Sequence, residues 1–110
     1  MSYLFITHDL TLVTSICDRV IVMYKGCEVE SGYTADIFKN PKHPYTKLLL
    51  SCIMTVEKNQ YVNMIPELND TDNNYGCKFK HLCSEKMKKC YEELPKIKNL
   101  EKRNVRCHLY

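Results

Sequence analysis

Apolar positions follow two patterns along this chain, and the changes between them outline its elements. Tyr3–Thr7 reads Tyr-Leu-Phe-Ile-Thr, a short unbroken apolar run of β-formers. A strand covered on both faces, as in a parallel sheet, has this pattern. Asp9 follows where a helix cap belongs. Leu10, Val13 and Ile16/Cys17 then recur at helical spacing and give that helix one apolar face. Arg19–Tyr24 predicts a second strand. Lys25-Gly26 is a two-residue turn with glycine where a positive φ is wanted, so Cys27–Ser31 is the hairpin partner. Gly32 closes that unit. Thr34 is placed to cap a short helix through Phe38, stopped by Asn40-Pro41. Pro44 suits the first position of the next helix. Tyr45, Leu48, Leu49, Cys52 and Ile53 trace one apolar stripe along it.

Past Thr55 the periodicity fades. Tyr61–Ile65 is a candidate strand stopped by Pro66, and Asn69–Tyr75 is a polar loop. The expected organisation is an α/β part over residues 1–54 and a cysteine-rich extension over residues 55–110. Within the extension, Ser84 is placed to cap a helix running to about Leu94, before Pro95. Val105–Leu109 alternates and predicts a terminal strand. No internal repeat is present.

Length and composition limit what these elements build. With 110 residues there is material for one small domain with a modest core. No apolar run is long enough to span a membrane, and no signal peptide is visible at the N-terminus. The net charge of +3 is unevenly spread. Residues 1–76 carry six Lys/Arg and nine Asp/Glu, whereas residues 77–110 carry ten and four. A basic tail of this kind attracts phosphates, RNA or an anionic membrane surface, or is simply solvated around an anionic thiolate site. The Lys86–Lys89 cluster lacks regularly interleaved aromatics, so nucleic-acid binding is not expected.

Seven cysteines without a secretion signal favour a reducing compartment, where thiols bind metals rather than pair. Cys17, Cys27 and Cys52 lie in apolar contexts and read as small core residues. Cys77, Cys83, Cys90 and Cys107 form the frame Cys-x5-Cys-x6-Cys-x16-Cys. If one helix held Cys83 and Cys90, two turns apart, both sulfurs would share a side. Cys77 would fold back through a short loop, and Cys107 would return from the terminal strand. Such an all-thiolate set suits an iron–sulfur cluster or zinc, with reduced unligated thiols as the third possibility. His81 and His108 are substitute ligands or, more simply, surface groups.

Four segments together resemble the C-terminal portion of ATP-binding subunits of ABC importers for dipeptides and oligopeptides. They are Tyr3-Leu-Phe-Ile-Thr-His8-Asp9-Leu10, Cys17-Asp-Arg-Val-Ile-Val-Met-Tyr-Lys-Gly26 with Glu28-Val-Glu-Ser-Gly32, Asn40-Pro-Lys-His-Pro-Tyr-Thr46, and the cysteine frame ending Cys107-His108-Leu109. The resemblance implies a P-loop ATPase fold, with His8 as the switch histidine that contacts the γ-phosphate in an intact subunit. It implies a [4Fe–4S] cluster on Cys77, Cys83, Cys90 and Cys107, with zinc as the alternative. It also implies transmembrane permease subunits and a second ATP-binding subunit as partners, and a cytoplasmic location against the inner face of the membrane.

The main departures from the family pattern concern catalysis, with smaller ones in the tail, where Leu82-Cys83-Ser84 stands in place of the usual Arg-Cys-Pro. None of Gly26, Gly32 and Gly76 precedes a Lys-Ser/Thr pair, so no phosphate loop is present, and the Ser-Gly-Gly-Gln signature is also absent. Without that loop no backbone nest cradles the phosphates. The expectation is a truncated subunit that alone neither binds nor hydrolyses ATP. The alternatives are an independent metal-binding interaction module or a gene remnant.

Overall fold

In the computed structural model, residues 1–55 and 75–110 are described. The candidate strand Tyr61–Ile65 and most of the Asn69–Tyr75 loop lie outside them.

Asp9 begins the first helix. Its Oδ1 accepts the N–H groups of Thr11 (3.1 Å) and Leu12 (3.3 Å), and α1 runs over Leu10–Ile16. Such a cap is worth about 1 kcal/mol. Only Val13 of this helix is buried. The run before it is not a strand, contrary to the sequence-based expectation. Tyr3–Ile6 is exposed, Leu4 by 85% and Ile6 by 95%. A strand covered on both faces exists only between neighbours, and no described strand pairs with this segment.

The first hairpin forms as its pattern predicts. β1 (Arg19–Tyr24) and β2 (Cys27–Tyr33) are joined through Lys25 and Gly26, with φ of 46° and 77°. Two positive φ values match the right-handed twist of the flanking strands. The register slips between Val22 and Met23: Val22 faces Glu30, whereas Met23 faces Glu28. This bulge leaves Val29 extra and breaks the in–out alternation, so that Val29, Glu30 and Ser31 are all buried.

A second hairpin from the tail joins the same sheet. β3 (Ile97–Leu100) and β4 (Arg103–Arg106) are antiparallel, and β4 pairs with β2 through Glu30↔Val105 and Ser31↔Asn104. The order is β1-β2-β4-β3, all antiparallel. The α/β class holds. Two expectations do not. The tail, expected to be a small irregular cysteine-rich module, supplies two of the four described strands. The terminal strand also lies earlier than expected: it ends at Arg106, and residues after Cys107 form a turn. Strands thus come from both sides of residue 54.

α2 (Thr34–Lys39) and α3 (Pro44–Thr55) lie beside β2. Thr34 is the first residue of α2 rather than its cap. Tyr33 takes the cap position without a side-chain bond, and the buried Thr34 hydroxyl makes no hydrogen bond. Val22, Val29 and Ile37 form the core, packed by Val20, Tyr24, Phe38, Tyr45 and Leu49. Ile37 is almost wholly buried, worth about 1.5–3 kcal/mol. Among the described residues no helix is long and apolar enough to cross a membrane.

Candidate functional site

The cysteine segment is organised by a backbone fold-back. Gly76, at φ 79°, turns the chain so that the Cys77 N–H donates to the Cys90 carbonyl at 2.7 Å. A Cβ on Gly76 would collide with that carbonyl oxygen, so only glycine fits. A tight turn follows, with Lys80 N–H bonded to Cys77 O (3.2 Å) and Cys83 N–H to Phe79 O (3.1 Å). The expected helix from Ser84 to Leu94 shrinks to α4 (Lys89–Glu92). Cys83 and Cys90 therefore do not share a helix. Ser84 and Glu85 form a turn, and Lys88–Lys89, exposed to water, start the helix late.

The four thiols come within one another's electrostatic influence from four separate places in the chain. Cys77 comes from the fold-back, Cys83 from the turn, Cys90 from α4 and Cys107 from just after β4. Burial pushes the Cys77, Cys83 and Cys107 thiols up from their ordinary values. Backbone N–H groups oppose this by bonding to the sulfurs: Phe79 and Lys80 to Cys77, Glu85 to Cys83, and Leu109 to Cys107. In each case a donor lies two residues downstream. The thiols also raise one another: Cys77 feels Cys90 and Cys83, and Cys107 feels the other three. Among the described residues, no three His, Cys, Asp or Glu side chains stand at metal-holding spacing. All four thiols are free.

The other candidate residues lie elsewhere. His8 is exposed, just ahead of the α1 cap. His108 Nε2 lies 2.9 Å from the Glu93 carbonyl oxygen, and the His81 ring stands edge-on to Tyr91. Cys52 is buried, as expected of a core thiol, whereas Cys17 and Cys27 are half-buried.

Beside the cysteines is a clamp that pattern reading did not find. The Glu30 carboxylate is wholly buried and accepts Lys42 N–H (2.8 and 3.0 Å) and His43 N–H (2.6 Å). Arg103 Nη1 approaches it to 3.6 Å and donates to Asn40 O at 2.5 Å. Burial raises the Glu30 carboxyl, and the two N–H groups and Arg103 pull it back down. His43, almost fully buried, accepts Tyr45 N–H on Nδ1 at 3.0 Å. Burial lowers its pKa to about 4, opposed by a hydrogen bond to the Arg106 backbone. A neutral imidazole does both: Nδ1 accepts and Nε2–H donates. Tyr110 Oη closes the loop from the C-terminus, donating to Lys42 O at 2.8 Å. His43 thus rivets the start of α3 to β4. Its ring meets Phe79, which also packs on Tyr24 and Tyr45 with centroids 5.3 and 5.4 Å away. Phe79 lies between Cys77 and Cys83, so the clamp and the cysteine turn share one packed cluster.

Glu30 was hidden because strict alternation after a buried Val29 would turn it to solvent. Only the bulge brings it inside, and the carboxylate has no distinguishing local pattern.

Comparison with known proteins gives a consistent result. Residues 29–90 match the family model "Oligopeptide/dipeptide transporter, C-terminal region". The chain is 42% identical over 101 residues to the dipeptide transport ATP-binding protein DppF of Haemophilus influenzae, covering 88% of this chain and 31% of that protein. It is 41% identical over 113 residues to the oligopeptide transport ATP-binding protein AppD of Bacillus subtilis, covering 99% and 34%. It is 38% identical over 117 residues to the dipeptide transport ATP-binding protein DppD of Caldanaerobacter subterraneus, covering 100% and 35%. The chain spans about a third of the length of these relatives. The matched segment contains the clamp residues Glu30, Lys42 and His43 and three of the four cysteines, and on that match the chain belongs to the oligopeptide/dipeptide transporter C-terminal-region family.

Proposed function

We propose that this chain works as the C-terminal part of the ATP-binding subunit of a peptide ABC importer, at the cytoplasmic face of the membrane beside permease subunits and a second ATP-binding subunit. The observation that carries this is the family match over residues 29–90, together with relatives whose names state dipeptide or oligopeptide transport. In an intact subunit His8 would sit by the γ-phosphate, where an imidazole N–H donates to a phosphoryl oxygen as charge spreads over it. These 110 residues hold no Gly-Lys-Ser/Thr loop to grip the phosphates. By itself the chain therefore neither binds ATP tightly nor hydrolyses it. Calorimetry with Mg-ATP and a phosphate-release assay on the purified chain test this. Submicromolar binding, or turnover lost in His8→Ala, would overturn it.

Cys77, Cys83, Cys90 and Cys107 would hold a [4Fe–4S] cluster, or zinc in its place. The donor chemistry fits: four free thiols within reach of one another's charge, three of them with backbone N–H groups already on sulfur. N–H···S bonds favour the thiolate that a metal requires. When bound, the group would supply cross-links between the cysteine turn, α4 and the end of β4. Anaerobic reconstitution with iron and sulfide, followed by absorbance and metal analysis, tests the assignment. Serine at any of the four positions should abolish loading, whereas Cys17→Ser, Cys27→Ser and Cys52→Ser should not. A wild-type chain that takes up neither metal would sink it.

A further inference from the structure

Around α4 the tail presents a basic, partly apolar surface, most of whose side chains take no part in the cysteine site or the clamp. α4 buries only Cys90. Around it Met87, Tyr91, Leu94 and Ile97 are each 36–44% exposed, although each is large and apolar. Met87 and Tyr91 flank one turn, closed by Cys90 N–H on Met87 O and Tyr91 N–H on Lys88 O, both at 3.0 Å. Five lysines are interspersed within residues 86–98, and all five are exposed. Lys88 and Lys89 reach Glu92 and Glu93 at 3.7 and 3.2 Å, in exposed pairs that neutralise little. Among the described residues, Lys86, Lys96 and Lys98 form no ion pair.

We infer that residues 86–98 form a docking surface for an anionic lipid bilayer. Charge complementarity selects that occupant, since residues 77–110 carry ten Lys/Arg against four Asp/Glu. Side-chain chemistry narrows it further. Tyr91 and the aliphatic side chains suit the boundary between headgroups and acyl chains, with lysines reaching lipid phosphates around them. Nucleic acid fits less well. The arginines of the tail, which would fork onto phosphates, are committed internally: Arg103 to Asn40 O and Asp36 O, Arg106 to Glu28 O and Pro95 O. Every freely exposed cation of this surface is a lysine, a point charge suited to headgroups.

The test is co-sedimentation of the full chain with vesicles of phosphatidylcholine alone and of equimolar phosphatidylglycerol and phosphatidylcholine. The chain should partition onto the anionic vesicles and leave them as salt is added. Each lysine contributes about fivefold, so Lys86→Gln with Lys96→Gln should weaken binding roughly twenty-five-fold. Met87→Ser with Leu94→Ser should weaken it without altering the salt dependence. Both pairs leave the apolar Tyr3–Ile6 segment intact, so loss in either cannot come from that segment. Circular dichroism on each variant checks that these exposed changes keep the fold. Equal binding to neutral vesicles, binding unaffected by both variant pairs, or displacement from anionic vesicles by polyuridylate RNA would overturn the inference.

Discussion

His43 is held neutral by its surroundings, and this has a consequence for stability. Its pKa falls from 6.5 to about 4, first because it is buried and then because Lys47 is near, while the bond to the Arg106 backbone resists the fall. Between these values the unfolded chain takes up a proton that the folded chain refuses. Stability therefore drops as pH falls from 6.5 towards 4 and is insensitive to this group below that. The full gap corresponds to about 3 kcal/mol. Glu30 works in the opposite sense, because its raised carboxyl gains a proton more readily in the folded state. A difference measurement separates the two. His43→Asn keeps an acceptor near the Tyr45 N–H but removes the titrating group. As pH falls across this window the wild-type melting temperature should fall relative to that of the variant, in thermal scans at matched ionic strength. Parallel profiles would show that His43 does not titrate as described.

At the scale of elements, the two hairpins solve one turn with different residues. Lys25-Gly26 places glycine at one of its two positive-φ sites, whereas Glu101-Lys102 adopts φ of 43° and 64° without any glycine. Left-handed backbone costs non-glycine residues about 1–2 kcal/mol each. Replacing Glu101-Lys102 with Asn-Gly should stabilise the protein by about 1–2 kcal/mol, read as an upward shift of the urea midpoint at constant slope. The same chemistry explains why the first hairpin is legible and β3 is not. A Lys-Gly pair between apolar runs marks a turn, whereas Glu-Lys between Leu100 and Arg103 resembles any polar stretch. The short α4 has a similar origin. Ser84 matches a helix start in type, but the chain around Cys83 and Cys90 is held by the fold-back on Gly76 rather than by a run of helical bonds.

For the whole molecule, the largest unmet demand is apolar. Tyr3, Leu4, Phe5 and Ile6 are exposed beside His8, and Ile21 and Met23 are exposed on β1, which lies at the edge of the sheet among the described residues. Such surface invites association. The isolated chain should self-associate at micromolar concentration, and Leu4→Lys with Ile6→Lys should shift it towards monomer in light scattering. A monodisperse monomeric wild-type chain would contradict this. The sheet also joins the cysteine segment to the first hairpin, because β4 pairs with β2 while Phe79 packs on Tyr24. Loading the cysteines should therefore slow amide exchange in β2 and β4 as well as in the tail.

Local chemistry was enough to specify the Asp9 cap, the β1–β2 hairpin and the Pro44 helix, because each depends on residues a few positions apart. The family likeness was also legible, since it rests on contiguous motifs. Tertiary structure decided the rest. It buried Glu30 through a bulge and brought Arg103 to it from far along the chain. It joined the tail to β2, and it gathered Cys83 and Cys90 without a common helix. It also left Tyr3–Ile6 outside any described strand. In every such case the deciding partner lies far away in sequence. An apolar run, a carboxylate or a cysteine pair carries no local mark of the neighbour that will cover, clamp or orient it.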